Sequence, residues 1–293
     1  MGFKLFLVLE KFLMKLSHNS RKKFFIFLGK IAKTLSKKTR KVVETNLRFT
    51  FGSAISQQEI EQITDYSFKN LLLNFLHLME IRHMDKKELK QRVTIKNLQE
   101  VERIHNEGRA IVYVTTHYSS WELGGATIGA FIEPLGAVYK GMKDKNYEKW
   151  VLESRAHFGN ENLEKTNVMK KLIRRIKNKQ AIGMLIDTKI PAKDGVMVEF
   201  FGKKISQTSA PSFLARKFNA ALVPVAMRTD DDEHYTLQIF DELKIDFSDD
   251  VQKDIEQLTQ LQASWLEGLI KKEPKFWFWL HRRFKGEYPE IYK

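Results

Sequence analysis

From residue 94 onward the chain alternates between two hydrophobic periods, and this restricts its fold more than any other feature. Leu98–Glu107 has helical spacing and stops at Gly108. The next run, Ala110–Thr115, reads Ala-Ile-Val-Tyr-Val-Thr and has no polar face. The exchange recurs to the end of the chain. Helices are predicted over Trp121–Phe131, Lys145–Phe158, Val168–Asn178, Ser212–Phe218 and Asp250–Lys271. Strands are predicted over Ala137–Tyr139, Ala181–Ile186, Val196–Phe201, Ala220–Met227 and Tyr235–Phe240. A strand that is apolar on both sides needs cover on both sides. The pattern therefore predicts an α/β fold with a mixed, mostly parallel sheet flanked by helices.

Residues 1–82 read as helical throughout. Ser56-Gln-Gln-Glu59 has the form of a capping box, and Ile60, Ile63, Phe68, Leu71, Leu72, Phe75, Leu76 and Met79 follow it as an apolar stripe. The first 48 residues hold thirteen Lys and Arg against only Glu10 and Glu44, which is +11 of the chain's net +14. A basic excess confined to one end attracts anionic surfaces. The apolar run Leu5–Leu9 is far short of the ~20 residues needed to cross a bilayer. No small-residue cleavage site follows it. Large apolar residues among lysines in Met1–Leu16, and again in Phe24–Leu28 behind Arg21-Lys-Lys23, fit helices lying in a membrane interface, with amphipathic helices packed on the domain as the alternative. These phenylalanines sit in aliphatic runs rather than as spaced stacking platforms, so nucleic-acid binding is not expected. Two regions are expected: basic amphipathic helices over 1–48 and an α/β domain over 49–293.

The chain has no cysteine, which excludes disulfides, zinc–thiolate sites and a cysteine nucleophile. No serine lies in a Gly-x-Ser-x-Gly elbow. The chain has eight histidines. Two histidines precede an acid by five positions, His83 before Glu88 and His117 before Glu122, and about one such match is expected by accident. Context separates them. His83 lies in a polar connection, Arg82-His-Met-Asp-Lys-Lys-Glu88, with no strand before it. His117 follows the strand Ala110–Thr115 and precedes a helix, which is where α/β proteins place their sites. With Ser119 or Ser120 as cap, His117 and Glu122 can face each other across the first helical turn, the carboxylate fixing the imidazole tautomer. Ser119-x-x-Glu122 is equally a capping box, which gives Glu122 a purely structural alternative. Gly124 and Gly125 remove bulk beside the pair, letting a backbone or an acyl chain approach.

The stretch Thr116-His-Tyr-Ser-Ser-Trp-Glu-Leu123 resembles the His-Phe-Gly-Asn-Trp-Glu signature of the bacterial lipid A biosynthesis acyltransferases, the late lauroyl/myristoyl-type enzymes. Five further blocks agree in order: Asn46–Gly52, Arg155 ahead of Phe158-Gly159, Asp187 at the end of Met184–Asp187, Gly195–Gly202, and Phe276–Lys285 with its Trp-Phe-Trp-Leu-His-Arg-Arg pattern. Tyr118, Ser119 and Ser120 replace Phe-Gly-Asn, and the missing glycine suggests a different turn after His117.

The resemblance implies a glycerolipid acyltransferase-like fold. It implies transfer of a fatty acyl group from acyl carrier protein, or from acyl-CoA, to a hydroxyl of a 3-hydroxyacyl chain on a lipid A precursor. His117 would be the general base and Glu122 its orienting acid. Arg155 would stabilise an oxyanion or bind phosphate, with Asp187 as its partner. Arg282 and Arg283 would contact acceptor phosphates or form a solvated basic face. No metal and no cofactor is implied. The basic N-terminus would hold the enzyme on the cytoplasmic face of the bacterial inner membrane. The aromatic run 276–279 reads as core or membrane-edge packing. A lysophospholipid or another glycolipid is the alternative acceptor, and a non-catalytic basic peripheral membrane protein is the distant alternative.

Overall fold

The computed structural model describes residues 2–191 and 195–293, so the stretch read from Met1 begins one residue outside the described range. Four long helices open the chain: α1 (Gly2–Met14), α2 (His18–Leu35), α3 (Lys37–Phe51) and α4 (Gln57–Ile81). The capping box at Ser56 and Glu59 forms as expected and starts α4. The stripe that follows is buried at Ile60, Ile63, Phe68, Leu76 and Met79.

The rest of the chain builds a seven-stranded sheet. Its strands are β1 (Val93–Lys96), β2 (Ile111–Thr115), β3 (Gly136–Tyr139), β4 (Glu161–Glu164), β5 (Ile182–Leu185), β8 (Ala221–Thr229) and β9 (Tyr235–Ile239), in the order β1-β9-β8-β2-β5-β3-β4. Every neighbouring pair is parallel except β8 and β9. The mostly parallel α/β sheet expected from the alternation is therefore present. A separate antiparallel pair, β6 (Val196–Phe200) with β7 (Lys203–Gln207), packs against the last helix, α11 (Val251–Lys272). Helix α5 (Lys86–Arg92) leads into β1, and the helices between strands are α6 (Leu98–Asn106), α7 (Trp121–Phe131), α8 (Lys145–Ala156), α9 (Val168–Lys177) and α10 (Ala210–Phe218).

Strand β2 shows why its sequence is apolar at every position. Ile111 and Tyr113 point into one core with Leu123, Ala126 and Ile128 of α7. Val112 and Val114 point into the other, with Leu172, Leu214 and Leu266. A strand with two buried faces cannot alternate in polarity.

The N-terminal helices dock on this body through a third core. Leu13 and Phe25 bury against Leu73, Leu76 and Trp150. Two buried carboxylates set how they dock. Glu10 accepts from His83 Nε2 at 3.0 Å and Trp150 Nε1 at 2.9 Å. Glu80 takes His18 Nδ1 at 2.8 Å, Arg21 Nε at 2.8 Å and Arg92 at 2.6 Å. His83, though exposed, thus helps fix α1. The polar connection after it holds α5, capped by Asp85 and Glu88. The boundary expected at residue 48 falls inside α3, whose Val43 and Leu47 belong to the main core. No described helix is long and apolar enough to cross a membrane.

Candidate active site

β2 and β5 are adjacent and parallel, so their carboxyl ends lie side by side. His117 follows the first and Asp187 the second. The two side chains meet, His117 Nδ1 to Asp187 Oδ1 at 2.9 Å. The other carboxylate oxygen accepts from Thr116 Oγ1 at 2.7 Å, from the His117 backbone N–H at 2.8 Å and from Trp277 Nε1 at 3.0 Å. Asp187 is 1% exposed and fully engaged. An ionised carboxylate only accepts hydrogen bonds, so Nδ1 carries the proton and Nε2 presents its lone pair. Nε2 has no partner among the described residues. Burial works against an imidazolium here, but the charge and hydrogen bond of Asp187 outweigh it and raise the His117 pKa. Burial alone would raise the Asp187 carboxyl; the His117 charge and its hydrogen bonds to His117 and Thr116 hold it well below the usual carboxylate range.

Glu122 lies in the first turn of α7, 7% exposed, and faces Arg155 on α8. The contact is a two-pronged fork, Arg155 Nε to Oε2 at 3.0 Å and Nη2 to Oε1 at 2.7 Å, with Trp121 Nε1 donating to Oε1 at 3.0 Å. The Glu122 charge, opposed by burial, raises the Arg155 pKa. The pairing therefore differs from that expected. Asp187 holds the imidazole, and Glu122 holds Arg155. The reason is strand order: adjacency of β2 and β5 puts Asp187 beside the backbone of the His117 turn, while the guanidinium offers Glu122 the better-matched fork. The capping alternative for Glu122 is not realised either. Ser120 occupies the N-cap of α7 without a side-chain cap bond.

The turn between β2 and α7 is held from two sides. The segment Phe276–Phe278 runs antiparallel to it: Ser119 N–H donates to Phe276 O at 2.9 Å and Phe278 N–H to His117 O at 3.0 Å. On the other side, Asn70 and Asn74 of α4 both donate to Ser119 O, at 3.0 and 2.9 Å, and His77 Nδ1 meets Ser120 Oγ at 2.6 Å. Ser119 has φ = 50°, the left-handed conformation that glycine adopts most readily. Serine thus fills a glycine-like turn, where a different turn was expected.

The aromatic run is core, as expected, at Phe276, Trp277 and Trp279. Phe278 is the exception. Its ring lies 5.8 Å from His117 and 5.5 Å from Trp121, forming a wall of the site. Arg283 is 1% exposed and donates to Ser206 O at 3.0 Å; burial lowers its pKa to about 10. Arg282 is exposed and lies over the Tyr292 ring at 5.8 Å. Asn46 ties the segment down by donating to Trp279 O and His281 O, both at 2.8 Å.

An apolar cavity of about 120 Å³ opens beside the Glu122–Arg155 pair and extends under α7. Trp121, Glu122 and Arg155 line it together with Tyr113 and Gly183 of the sheet and Leu135.

The residues from 2 to 286 match the family model described as bacterial lipid A biosynthesis acyltransferase. The chain is a member of the bacterial lipid A biosynthesis acyltransferase family. It is 24% identical over 264 residues to a lipid A biosynthesis palmitoleoyltransferase of Escherichia coli strain K12, covering 88% of this chain and 82% of the relative. It is also 24% identical to a lipid A biosynthesis lauroyltransferase of the same organism, over 88% of this chain and 83% of the relative. A phosphatidylinositol mannoside acyltransferase of Mycolicibacterium smegmatis is 23% identical over 67% of this chain and 64% of the relative. This family member is thus an acyltransferase; His117 and Asp187 follow the carboxyl ends of β2 and β5 with the Glu122–Arg155 pair nearby, while the buried Arg283 and the exposed Arg282 are bound elsewhere.

Sequence reasoning missed Trp277, Phe278, Asn70, Asn74 and His77 as parts of the site. The α4 residues carried a signal. Asn70, Asn74 and His77 fall at helical spacing beside the apolar stripe, where a buried polar side chain needs a partner.

Proposed function

We propose that the protein transfers a fatty acyl chain from acyl carrier protein, or from acyl-CoA, to the hydroxyl of a 3-hydroxyacyl chain on a lipid A precursor, with His117 as general base. The observation that carries this reading is an imidazole held through Nδ1 by a buried carboxylate, its Nε2 without a partner among the described residues, its ring 5.1 Å from that of Trp121, which lines the apolar cavity. Nε2 takes the acceptor hydroxyl's proton as its oxygen bonds to the thioester carbonyl carbon. The tetrahedral adduct collapses, the carbon–sulfur bond breaks, and the imidazolium returns the proton to the leaving thiolate. The products are an ester and a thiol. Asp187 steadies the imidazolium. Arg155, aimed by Glu122, supplies positive charge where the carbonyl oxygen becomes negative. The cavity receives the acyl tail.

The N-terminus supports a membrane-surface reading. Leu5, Val8, Leu9 and Phe12 form one outward stripe on α1, between 44 and 70% exposed, beside the exposed Lys4, Lys11 and Lys15. Such a face suits an anionic leaflet, here the cytoplasmic face of the inner membrane, where an acidic acyl carrier protein arrives from solution. The mannoside acyltransferase relative favours a second reading, in which the acceptor is another glycolipid.

The deciding experiment incubates purified protein with radiolabelled acyl-acyl carrier protein and either a lipid A precursor or a phosphatidylinositol mannoside. Label is expected in the lipid A precursor, and its loss in folded His117→Ala and Glu122→Ala variants. Label only in the mannoside assigns the second reading. Full residual activity in both variants removes the proposed site.

A further inference from the structure

Three glycines lie in α7, and they are not equivalent. A Cβ at Gly124 would meet the Met227 side chain at 3.0 Å, and one at Gly129 would meet the Asn160 carboxamide at 2.4 Å. Close packing accounts for both. A Cβ at Gly125 would meet nothing within 4 Å. Gly125 lies inside the helix, has an ordinary helical φ, and lines the cavity. Glycine is the weakest helix former after proline, so alanine at this position fits and strengthens α7. Packing and backbone geometry therefore give no reason for glycine here. What a side chain at 125 would take up is the cavity itself.

We propose that Gly125 sets the length of straight fatty acyl chain that the enzyme accepts, an inference that rests on the acyl-transfer reading of the same site. Gly125 comes three residues after Glu122, about 4.5 Å further along the helix axis. The cavity is lined by Trp121 and Glu122 before Gly125 in α7 and by Ile128 after it, so an acyl tail that enters past Trp121 crosses the Gly125 backbone to reach Ile128. A side chain at 125 takes up cavity space between Trp121 and Ile128 and shortens the tail that fits. The apolar walls select the class of ligand, an unsubstituted hydrocarbon tail, and the open space at 125 selects its length.

The test uses the full chain with a ladder of straight-chain acyl thioesters from octanoyl to stearoyl. Gly125→Leu is expected to move the preferred donor to a shorter chain. It should lower kcat/KM for the parent's preferred chain by ~10-fold or more relative to a shorter one, since single methylenes in an apolar pocket carry effects of that order. Gly125→Ala, which α7 tolerates on helical grounds, should shift the profile in the same direction by less, and carries the test if the leucine variant does not fold. An unchanged chain-length profile in the folded variants overturns the proposal. A second readout is independent of turnover: the rise in melting temperature produced by free fatty acids of the same ladder should peak at a shorter chain in Gly125→Leu. If that peak moves while the parent transfers no acyl group from any thioester, the length gauge stands and the acyl-transfer reading fails. If the parent transfers acyl groups and neither profile moves, the gauge alone fails.

Discussion

The imidazole of His117 is the residue whose chemistry depends most on one neighbour. Because Asp187 raises its pKa, His117 binds its proton more tightly folded than unfolded. Its contribution to stability is fully present below the unfolded value of about 6.5 and is lost as pH rises through the folded pKa. As the proposed general base His117 must be neutral, so transferase activity should rise with pH through that same raised value. Asp187→Asn removes the charge. The acid limb of the pH–kcat/KM profile should move to lower pH while kcat falls by ~10²-fold or more. An acid limb that stays in place would mean that Asp187 does not act on the imidazole. The neighbouring Ser119 is a test of geometry alone. At φ = 50° a β-branched side chain is strained, so Ser119→Val should cost about 2 kcal/mol or more, read by denaturant unfolding. Ser119→Gly should remain within ~1 kcal/mol of the parent, the gain in backbone fit offsetting the lost side-chain contacts.

Among the elements, α4 supports the site without touching the proposed reacting groups. Asn74→Leu removes a donor from Ser119 O in a fully buried setting and should destabilise by roughly 1–3 kcal/mol. It should also lower kcat, through displacement of the His117 turn, with the pH profile unmoved. A thermal melt and a pH–rate curve on one preparation separate this from the Asp187 effect. Legibility in the sequence also varied by element. Of the strands that feed the site, β2 was readable because it is buried on both faces and β5 because it carries no polar side chain. Val93–Lys96, Glu161–Glu164 and Lys203–Gln207 were not. Glu161–Glu164 buries only Leu163 at the edge of the sheet, so its four residues offer no period to detect. His117, Glu122, Arg155 and Asp187 were nameable by resemblance, but their pairing was not. Who holds whom depends on β5 lying next to β2, and strand order is not written in local periodicity. The same blindness hid Trp277, whose indole reaches Asp187 from the far end of the chain.

Across the whole molecule, the N-terminal helices present an oily, basic face while two buried carboxylates fix their seating. Leu5→Glu with Phe12→Glu should leave the melting temperature nearly unchanged, because both side chains already face water. The pair should abolish sedimentation with anionic vesicles, each large apolar side chain being worth about 1.5–3 kcal/mol when buried. Vesicle binding that survives the double substitution argues against α1 as the contact. Glu80 is the corresponding internal test. Its carboxyl is held well below its usual range, burial being outweighed by His18 and Arg92. Its stabilising effect is therefore present above the unfolded value and lost as pH falls through the folded one. Glu80→Ala leaves Arg21 and Arg92 uncompensated and should cost about 3–5 kcal/mol, with earlier proteolytic release of α1 and α2.

The antiparallel bridge between His117–Ser119 and Phe276–Phe278 also bears on synthesis. Its two strands are separated by about 160 residues, so at 5–20 residues per second the ribosome makes the second roughly 10–30 s after the first. Throughout that interval the nascent chain holds His117 without the backbone partner of its turn or the indole that donates to Asp187. A chain stalled before Phe276 should be catalytically silent even after most of its sheet has formed. Acyl transfer is thereby deferred until translation has passed the last aromatic residue of the site.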